Sequence, residues 1–287
     1  MSWDGDYYAC KVVRQTRANP SLSDLESEIH AIKKLTSGYH THIVRVLDTW
    51  TEQNAFVTTF YVQMELCDGD LSSYLQMRYG STDQEPLKVS EVWNVFRQIM
   101  EGVQYIHSQG MVHRDLKPKN STPPPPPSIW RIISKMILIL VLYTEDSTDA
   151  LTWKITDFGF AAPSSLFPTF KPLTFGQMTR NYCAPELLIS SRYTFSSDIW
   201  SCGCILYELA TGIAPFETDE GVREYAWSGS TISKVSGYRD VAEEWGTMGA
   251  EWSCVDELVG RMVCVDEEMR PSAERILRDI PVFKELE

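Results

Sequence analysis

Carboxylates, an amide and lysines occur together in short motifs in the middle of the chain. The run His-Arg-Asp-Leu-Lys-Pro-Lys-Asn at 113–120 is followed by the tripeptide Asp-Phe-Gly at 157–159. Carboxylate and amide oxygens suit a hard cation such as Mg²⁺, and lysine ammonium groups suit phosphate oxygens. The motifs therefore contain the groups that metal-dependent phosphate chemistry requires.

Two further motifs complete a known set. Lys11 follows Ala9 and Cys10 in an early apolar run, and an Ala-Pro-Glu motif occurs at 184–186. In this order the motifs form the protein-kinase signature, and the chain resembles the catalytic domain of a eukaryotic serine/threonine protein kinase over nearly its whole length. The resemblance implies transfer of the γ-phosphate of ATP to a protein substrate bearing serine or threonine, with Mg²⁺ as cofactor.

The resemblance also implies that Lys11 binds the α- and β-phosphates and pairs with a glutamate of the following helix. Glu26 and Glu28 both lie in that predicted helix. At about 100° per residue, Glu28 falls within the apolar arc of the helix, whereas Glu26 points away from it. Glu28 is therefore the predicted partner of Lys11.

Five residues have implied roles in catalysis and metal binding. Asp115 resembles the base that accepts the proton of the substrate hydroxyl, and Lys117 resembles the group that reaches the γ-phosphate. Thr179, shortly before the Ala-Pro-Glu motif, resembles the threonine that hydrogen-bonds this base. Asn120 and Asp157 resemble the two magnesium ligands.

The resemblance places the adenine of ATP against a hinge at Glu65–Cys67, where the backbone would form hydrogen bonds with the base. Met64 would then guard the deeper part of the pocket. Ala9 and Leu142 are the implied apolar roof and floor, and Asp70 is expected to reach the ribose.

Other matches predict structure. The strongly apolar run at 198–211, which begins with Asp198, resembles the buried helix that anchors the catalytic loop. Arg270 resembles the arginine that pairs with Glu186 inside the lower lobe. Because both charges of such a pair are buried, losing one partner is expected to cost about 3–5 kcal/mol.

A regulatory segment is expected between Phe158 and Ala184. Arg114 precedes the predicted base, an arrangement that the family uses to bind a phosphorylated activation segment. Thr174 is the preferred phosphorylation site, and the alternatives are Thr169 and Ser165.

Strand patterns come first along the chain and helix patterns dominate later. Strands are predicted at 7–13, 43–50 and 56–66, and helices at 23–37, 89–110, 198–211, 254–264 and 273–279. This order predicts an α+β, two-lobed protein-kinase-like fold. We expect a small β-rich N-lobe at 1–66 and a larger helical C-lobe at 67–287.

The sequence departs from the family pattern before Lys11. The family places a Gly-x-Gly-x-x-Gly hairpin over the phosphates, but Gly5 is the only glycine upstream of Lys11 in the sequence. We therefore expect an N-lobe that is N-terminally incomplete and lacks the Gly-rich hairpin, and weak nucleotide binding as a consequence.

A second departure follows Asn120. Residues 121–140 begin with a run of prolines and continue with an apolar stretch that Arg131 and Lys135 interrupt. Without this run, Asn120 would lead directly into the apolar strand pattern at 141–143. We interpret the run as translated intron or a gene-model error; the alternative is a functional insert that docks a partner through its prolines.

The charge balance narrows the classes of partner. With 39 acidic and 26 basic residues, the net charge is −13, which argues against a general nucleic-acid binder or an anionic-membrane binder. The apolar stretch at 121–140 contains too few uninterrupted apolar residues to span a bilayer. The 7 cysteines show no disulfide or zinc pattern, and the N-terminus does not resemble a signal peptide, so a cytoplasmic location is predicted, with a nuclear one not excluded.

Overall fold

The structure is a computed structural model that describes residues 7–16, 22–80, 85–118, 141–145, 151–158, 161–164, 180–190, 193–229 and 250–279. The strands are β1 (Tyr8–Thr16), β2 (Val46–Gln53), β3 (Val57–Glu65), β4 (Gly69–Asp70), β5 (Met111–Val112), β6 (Val141–Glu145), β7 (Leu151–Ile155) and β8 (Ala162–Pro163). The helices are α1 (Leu22–Thr36), α2 (Leu71–Tyr79), α3 (Val89–Ser108), α4 (Pro185–Ser190), α5 (Phe195–Thr211), α6 (Asp219–Ser228), α7 (Ala250–Met262) and α8 (Ala273–Asp279). The predicted α+β class, with a β-rich N-terminal region and a mostly helical remainder, is confirmed; the strict order of strands before helices is not, because β5 to β8 follow α3.

An antiparallel sheet forms the N-terminal part of the fold, with strand order β1-β3-β2. Ala9 lies opposite Met64 in this sheet, and Lys11 lies opposite Val62. Because alternate residues of a strand share a face, Ala9 and Lys11 are on one face together with Met64 and Val62. The register therefore places the predicted roof of the adenine pocket and the predicted phosphate ligand on the same side of the sheet.

Two long helices build the core of the helical part. In α3, the predicted apolar face is buried, and Gly110 has a φ of 70° just beyond the helix end, the left-handed conformation that favours glycine after a helix. Helix α5 is buried on nearly all sides, as its apolar sequence predicts. Among the described residues, no helix combines the length and apolar character needed to cross a membrane.

A second sheet, built from shorter strands, has the strand order β4-β6-β7. Strand β6 begins at Val141, so the apolar strand predicted after Asn120 is confirmed. Asp70, Leu142 and Lys154 are neighbours across this sheet. The register thus brings two residues of the predicted nucleotide pocket onto adjacent strands.

The sheet β1-β3-β2 is called the upper sheet from here on. The loop between α1 and β2 joins this upper sheet to β7. The backbone N–H of Val44 donates to the carbonyl of Ile155 at 2.9 Å, and the N–H of Ile155 donates to the carbonyl of His42 at 2.9 Å. Gly102 of α3 packs against this junction, and a Cβ atom there would lie 2.8 Å from the His42 carbonyl oxygen. The strand that leads to Asp157 is therefore held to the N-terminal part of the fold.

Candidate active site

The loop that contains the predicted base, Asp115, is fixed on the buried helix α5. The carboxylate of Asp198 accepts hydrogen bonds from the backbone N–H groups of His113 at 2.8 Å and Arg114 at 2.9 Å. His107 contacts the same carboxylate through Nε2 at 2.9 Å. Burial alone would raise the pKa of Asp198, but the hydrogen bond and charge of His107 and the hydrogen bond from the backbone N–H of His113 lower it. Asp198 is thus kept ionised, and it holds the loop as the sequence predicts.

Arg114 adopts a strained backbone conformation in this loop, with φ at 75°. A non-glycine residue in the left-handed region costs free energy and persists where the surroundings fix it, often at functional sites. Here the surroundings are the Asp198 carboxylate on one side and the ring of Tyr193, which lies 4.9 Å from the Arg114 guanidinium carbon. Sequence reasoning missed Tyr193, because a lone tyrosine between two helices gives no signal by itself.

Asp115 and Lys117 contact each other directly. Lys117 Nζ donates to both carboxylate oxygens of Asp115, at 3.1 and 2.9 Å, and both side chains are almost completely buried. The pair places a positive charge beside a carboxylate that can accept a proton. An arrangement of this kind can deprotonate a hydroxyl and stabilise negative charge at one point.

Asp157 meets Lys11 across the two sheets. Lys11 Nζ donates to Asp157 Oδ1 at 2.8 Å, although 146 positions separate the residues in the sequence. Asp157 has a φ of 62°, so it is the second non-glycine residue of the described chain with a left-handed backbone. The fold therefore joins the lysine of the upper sheet to the carboxylate that follows β7.

The donor chemistry at Asp157 fits Mg²⁺. Its carboxylate oxygens are hard ligands, and the predicted second ligand, Asn120, would add an amide oxygen. No group of three or more His, Cys, Asp or Glu side chains in the described ranges is arranged to hold a metal ion. Mg²⁺ does not require such a group, since one or two protein ligands with substrate phosphates and water usually complete its octahedron.

The predicted hinge follows directly after β3. Glu65 is the last residue of that strand, Leu66 is exposed, and Cys67 is half-buried. The pKa of the Cys67 thiol is raised to about 12, mainly by burial; the Glu65 carboxylate contributes to the rise, and Lys154 opposes it. Met64 is packed against the core, and its sulfur lies 4.0 Å from the hydroxyl of Thr156.

Asp70, predicted to reach the ribose, already has a structural role. It is the N-cap of α2, and its carboxylate accepts hydrogen bonds from the backbone N–H of Ser73 at 2.9 Å and from the Ser73 hydroxyl at 2.8 Å. These contacts fix Asp70 beside β6. A ribose contact would share this carboxylate with the cap, and it stays a prediction.

The side chains of several predicted site residues lie outside the described part of the chain. Glu28 lies in α1 and Leu142 lies in β6, but their side chains are outside the described part of the chain. Asn120 and Thr179 are outside the described residues altogether. So are the three candidate phosphorylation sites, Ser165, Thr169 and Thr174. Their roles stay predictions.

Lys154 is the other residue that sequence reasoning missed. It is buried in β7 between Trp153 and Ile155 and forms an ion pair with Glu65, with Nζ 2.9 Å from Oε1. A signal was present, because lysine is almost never fully buried unless it is paired. A lysine between two large apolar residues of a core strand therefore predicts an acidic partner.

Comparison with known proteins agrees with the geometry. The family model described as the protein kinase domain matches residues 1–280. Ribosomal protein S6 kinase 2 alpha of Xenopus laevis is 30% identical over 282 residues, covering 94% of this chain and 31% of that protein. Serine/threonine-protein kinase atg1 of Dictyostelium discoideum is 34% identical over 215 residues, covering 71% of this chain and 26% of that protein. Calcium/calmodulin-dependent protein kinase type 1 of Caenorhabditis briggsae is 28% identical over 276 residues, covering 95% of this chain and 64% of that protein. The chain thus spans about a third or less of the first two relatives.

Proposed function

Because the chain belongs to the protein kinase family, we propose that it transfers the γ-phosphate of ATP to serine or threonine hydroxyls of proteins. The observation that carries the proposal is the 2.8 Å contact between Lys11 and Asp157. It joins the cation predicted to bind phosphate to the carboxylate predicted to bind Mg²⁺. If the hinge at residues 65–67 holds the base of ATP, the phosphates of ATP would reach the contact between Lys11 and Asp157.

In the proposed reaction, Asp115 accepts the proton of the substrate hydroxyl as that oxygen bonds to the γ-phosphorus. The bond between the γ-phosphorus and the bridging oxygen breaks, and ADP leaves. Lys117 stabilises the charge of the transferring group, and Thr179 orients Asp115 through a hydrogen bond. Asp157 and Asn120 would hold Mg²⁺, which would neutralise phosphate charge.

Lys11 would exchange partners when ATP binds. Its side chain is 27% exposed, and its ammonium group contacts Asp157, whose side chain is 6% exposed. Phosphate oxygens can replace the carboxylate as acceptors, and Glu28 of α1 would then hold the lysine from the other side. This exchange would free the Asp157 oxygens for the metal ion.

The test is a phosphotransfer assay with Mg²⁺, ATP and a serine/threonine peptide mixture, alongside ATP titrations with and without Mg²⁺. Asp157→Asn is the matched variant, because asparagine tolerates a positive φ and keeps the shape of aspartate. We expect Mg²⁺-dependent binding and transfer by the unmodified chain and loss of both in Asp157→Asn. A folded protein that binds ATP equally well in both forms would contradict the proposed metal site.

A catalytically impaired kinase domain that acts as a scaffold is the second candidate. The feature that favours it is the proline-rich and apolar run at 121–140, which separates Asn120 from β6. Deleting this run should raise phosphotransfer by at least about tenfold, because Asn120 would then be held directly by the strand. Folded protein without any nucleotide response, in both the full chain and the deletion variant, would favour the scaffold. The predicted protein partners and the cytoplasmic location stay predictions.

A further inference from the structure

A buried lysine connects the predicted hinge to the strand that carries the metal-binding motif. Lys154 Nζ lies 2.9 Å from Oε1 of Glu65 and 3.2 Å from Oε2, so it contacts both oxygens of the carboxylate. The lysine side chain is 6% exposed and the glutamate side chain is 25% exposed. Glu65 is the last residue of β3, and Lys154 precedes Asp157 by three positions in the sequence.

Glu65 is held in place by its backbone as well as by its side chain. Its Oε1 accepts a hydrogen bond from the backbone N–H of Arg45 at 2.7 Å, and its own N–H donates to the Arg45 carbonyl at 3.0 Å. The carboxylate therefore receives one donor from the segment before β2 and one from β7. Three separate chain segments meet at this side chain.

The ion pair has a counterpart at the other end of the site. Lys11 and Asp157 join the upper sheet to the segment after β7 at the predicted phosphate end. Glu65 and Lys154 join the same sheet to β7 at the predicted adenine end. The two ion pairs thus hold the upper sheet to one chain segment, β7 and the residues that follow it, at both predicted ends of a bound nucleotide.

The partners of Lys154 in the sheet strengthen this connection. Lys154 is opposite Leu142 of β6, which is opposite Asp70 of β4. These positions form one row across the sheet. Since Leu142 and Asp70 are predicted nucleotide contacts, this register places the backbone of Lys154 in the same row as the positions predicted to contact the base and the ribose.

We propose that the Glu65–Lys154 ion pair positions the hinge at residues 65–67 relative to Asp157 and thereby sets the affinity for ATP. Lys154 is a positioning residue in this role, since it acts through Glu65 and not on the phosphates. The inference rests on the proposed function for its effect on ATP, but the position of the hinge can be measured without nucleotide.

The main variant is Lys154→Met, which keeps the length of the side chain and removes its charge. We expect the KM for ATP to rise about tenfold, within the range that misplacing binding groups by about 1 Å can cause, while kcat changes less than about threefold. Lys154→Arg, which retains a cation for Glu65, should restore much of the ATP affinity. In a double-mutant cycle with Glu65→Gln, the two changes should be strongly non-additive, because they remove the same contact.

Arg78→Met is the control for loss of a partly buried ion pair elsewhere. Arg78 pairs with Glu91 at 2.9 Å between α2 and α3, so the variant should lower thermal stability and leave the KM for ATP unchanged. An equal rise in KM in Arg78→Met and Lys154→Met would overturn the inference. So would an unchanged KM in a folded Lys154→Met variant.

Amide hydrogen exchange separates this inference from the proposed function. Without nucleotide, Lys154→Met should accelerate exchange of the peptide covering residues 64–70, whereas Arg78→Met should not. If the unmodified chain binds no ATP, the proposed function fails, and the exchange of this peptide still decides whether the pair positions the hinge. Unchanged exchange in Lys154→Met would refute the positioning role by itself.

Discussion

Arg270 and Glu186 form a buried, two-point ion pair between segments that are 84 positions apart in the sequence. Arg270 Nη1 lies 2.7 Å from Glu186 Oε1, and Nη2 lies 2.9 Å from Oε2. The remaining guanidinium donors reach backbone carbonyls, and the guanidinium also lies over the ring of Trp200. The segment that ends the predicted activation region is therefore fixed to the C-terminal helices.

Arg270→Met should destabilise the fold strongly. The substitution leaves the Glu186 carboxylate without its guanidinium partner in a buried setting, which costs about 3–5 kcal/mol of unfolding free energy. Urea denaturation followed by tryptophan fluorescence measures this loss. The matched control is Arg278→Met, because Arg278 pairs with Glu274 at 3.6 Å while both side chains are exposed; we expect a change within about 0.5 kcal/mol. Similar losses of unfolding free energy in both variants would show that the buried Arg270 pair stabilises the fold no more than an exposed pair does.

Asp115→Asn should reduce turnover while ATP binding is retained. Asparagine keeps the shape of the side chain, but it cannot accept the hydroxyl proton, so we expect kcat to fall by about 10²- to 10⁴-fold with little change in the KM for ATP. Steady-state phosphotransfer kinetics measure both constants. Asp48→Asn is the control on the exposed part of β2 and should have normal kinetics. A kcat for Asp115→Asn close to that of the unmodified chain would remove Asp115 as the base.

The sequence predicted the elements whose patterns are local. The apolar period of α3, the glycine at 110 and the continuous apolar run of α5 each depend on neighbouring residues, and these predictions are confirmed. The strand expected at 43–50 begins later, at Val46, because Ile43 pairs with Ile155 of β7 instead. That partner is more than a hundred positions away, and a local pattern cannot reveal it.

Three helices were not predicted, for related reasons. Helix α2 has little amphipathic pattern, α4 is only six residues long, and α6 buries two residues, Val222 and Tyr225. Each was nevertheless marked by its start: Asp70 and Thr218 are N-caps, and Pro185 is the first residue of its helix. Attention to caps would have found them where hydrophobic periodicity could not.

Within the candidate site, motif residues were predictable but their contacts were not. The order of the motifs identified Lys11 and Asp157, yet only the fold shows that their side chains are 2.8 Å apart. The Glu65–Lys154 pair carries no motif at all. This ion pair depends on how the two sheets pack. In the sequence, the only sign of it is a charged residue, Lys154, between two large apolar residues of a strand.

Gly102→Ala should disturb the junction before Asp157. A Cβ atom at this position would lie 2.8 Å from the His42 carbonyl oxygen and 2.9 Å from Ile155 Cδ1, too close for either to stay in place. We expect a loss of about 1–3 kcal/mol of unfolding free energy, the usual cost of overpacking. Gly260→Ala in α7 is the control: apart from its chain neighbours and its own helix backbone, no atom of the described residues lies within 4 Å of the added Cβ, so the better helix propensity of alanine should raise the melting temperature. A neutral Gly102→Ala variant would mean that α3 can move away from β7 at little cost.

The stability of the fold should decrease as the pH falls below about 6.5, and His113 should contribute to this decrease. Its ring is fully buried, Nε2 donates to the carbonyl of Thr156 at 3.1 Å, and Nδ1 has no hydrogen-bond partner among the described residues. Burial lowers the pKa of His113 below the ordinary value of 6.5, so the folded state keeps the ring neutral. Below pH 6.5 the unfolded chain therefore binds more protons than the folded chain, and acidification favours unfolding, by at most about 1.4 kcal/mol per pH unit for one proton.

Urea denaturation between pH 7 and pH 5 should show a weaker pH dependence of the unfolding free energy for His113→Gln than for the unmodified chain. The control is His30→Gln, because His30 is exposed, and this variant should show the same pH dependence as the unmodified chain. Parallel curves for the unmodified chain and His113→Gln would show that the buried ring takes no part in acid destabilisation.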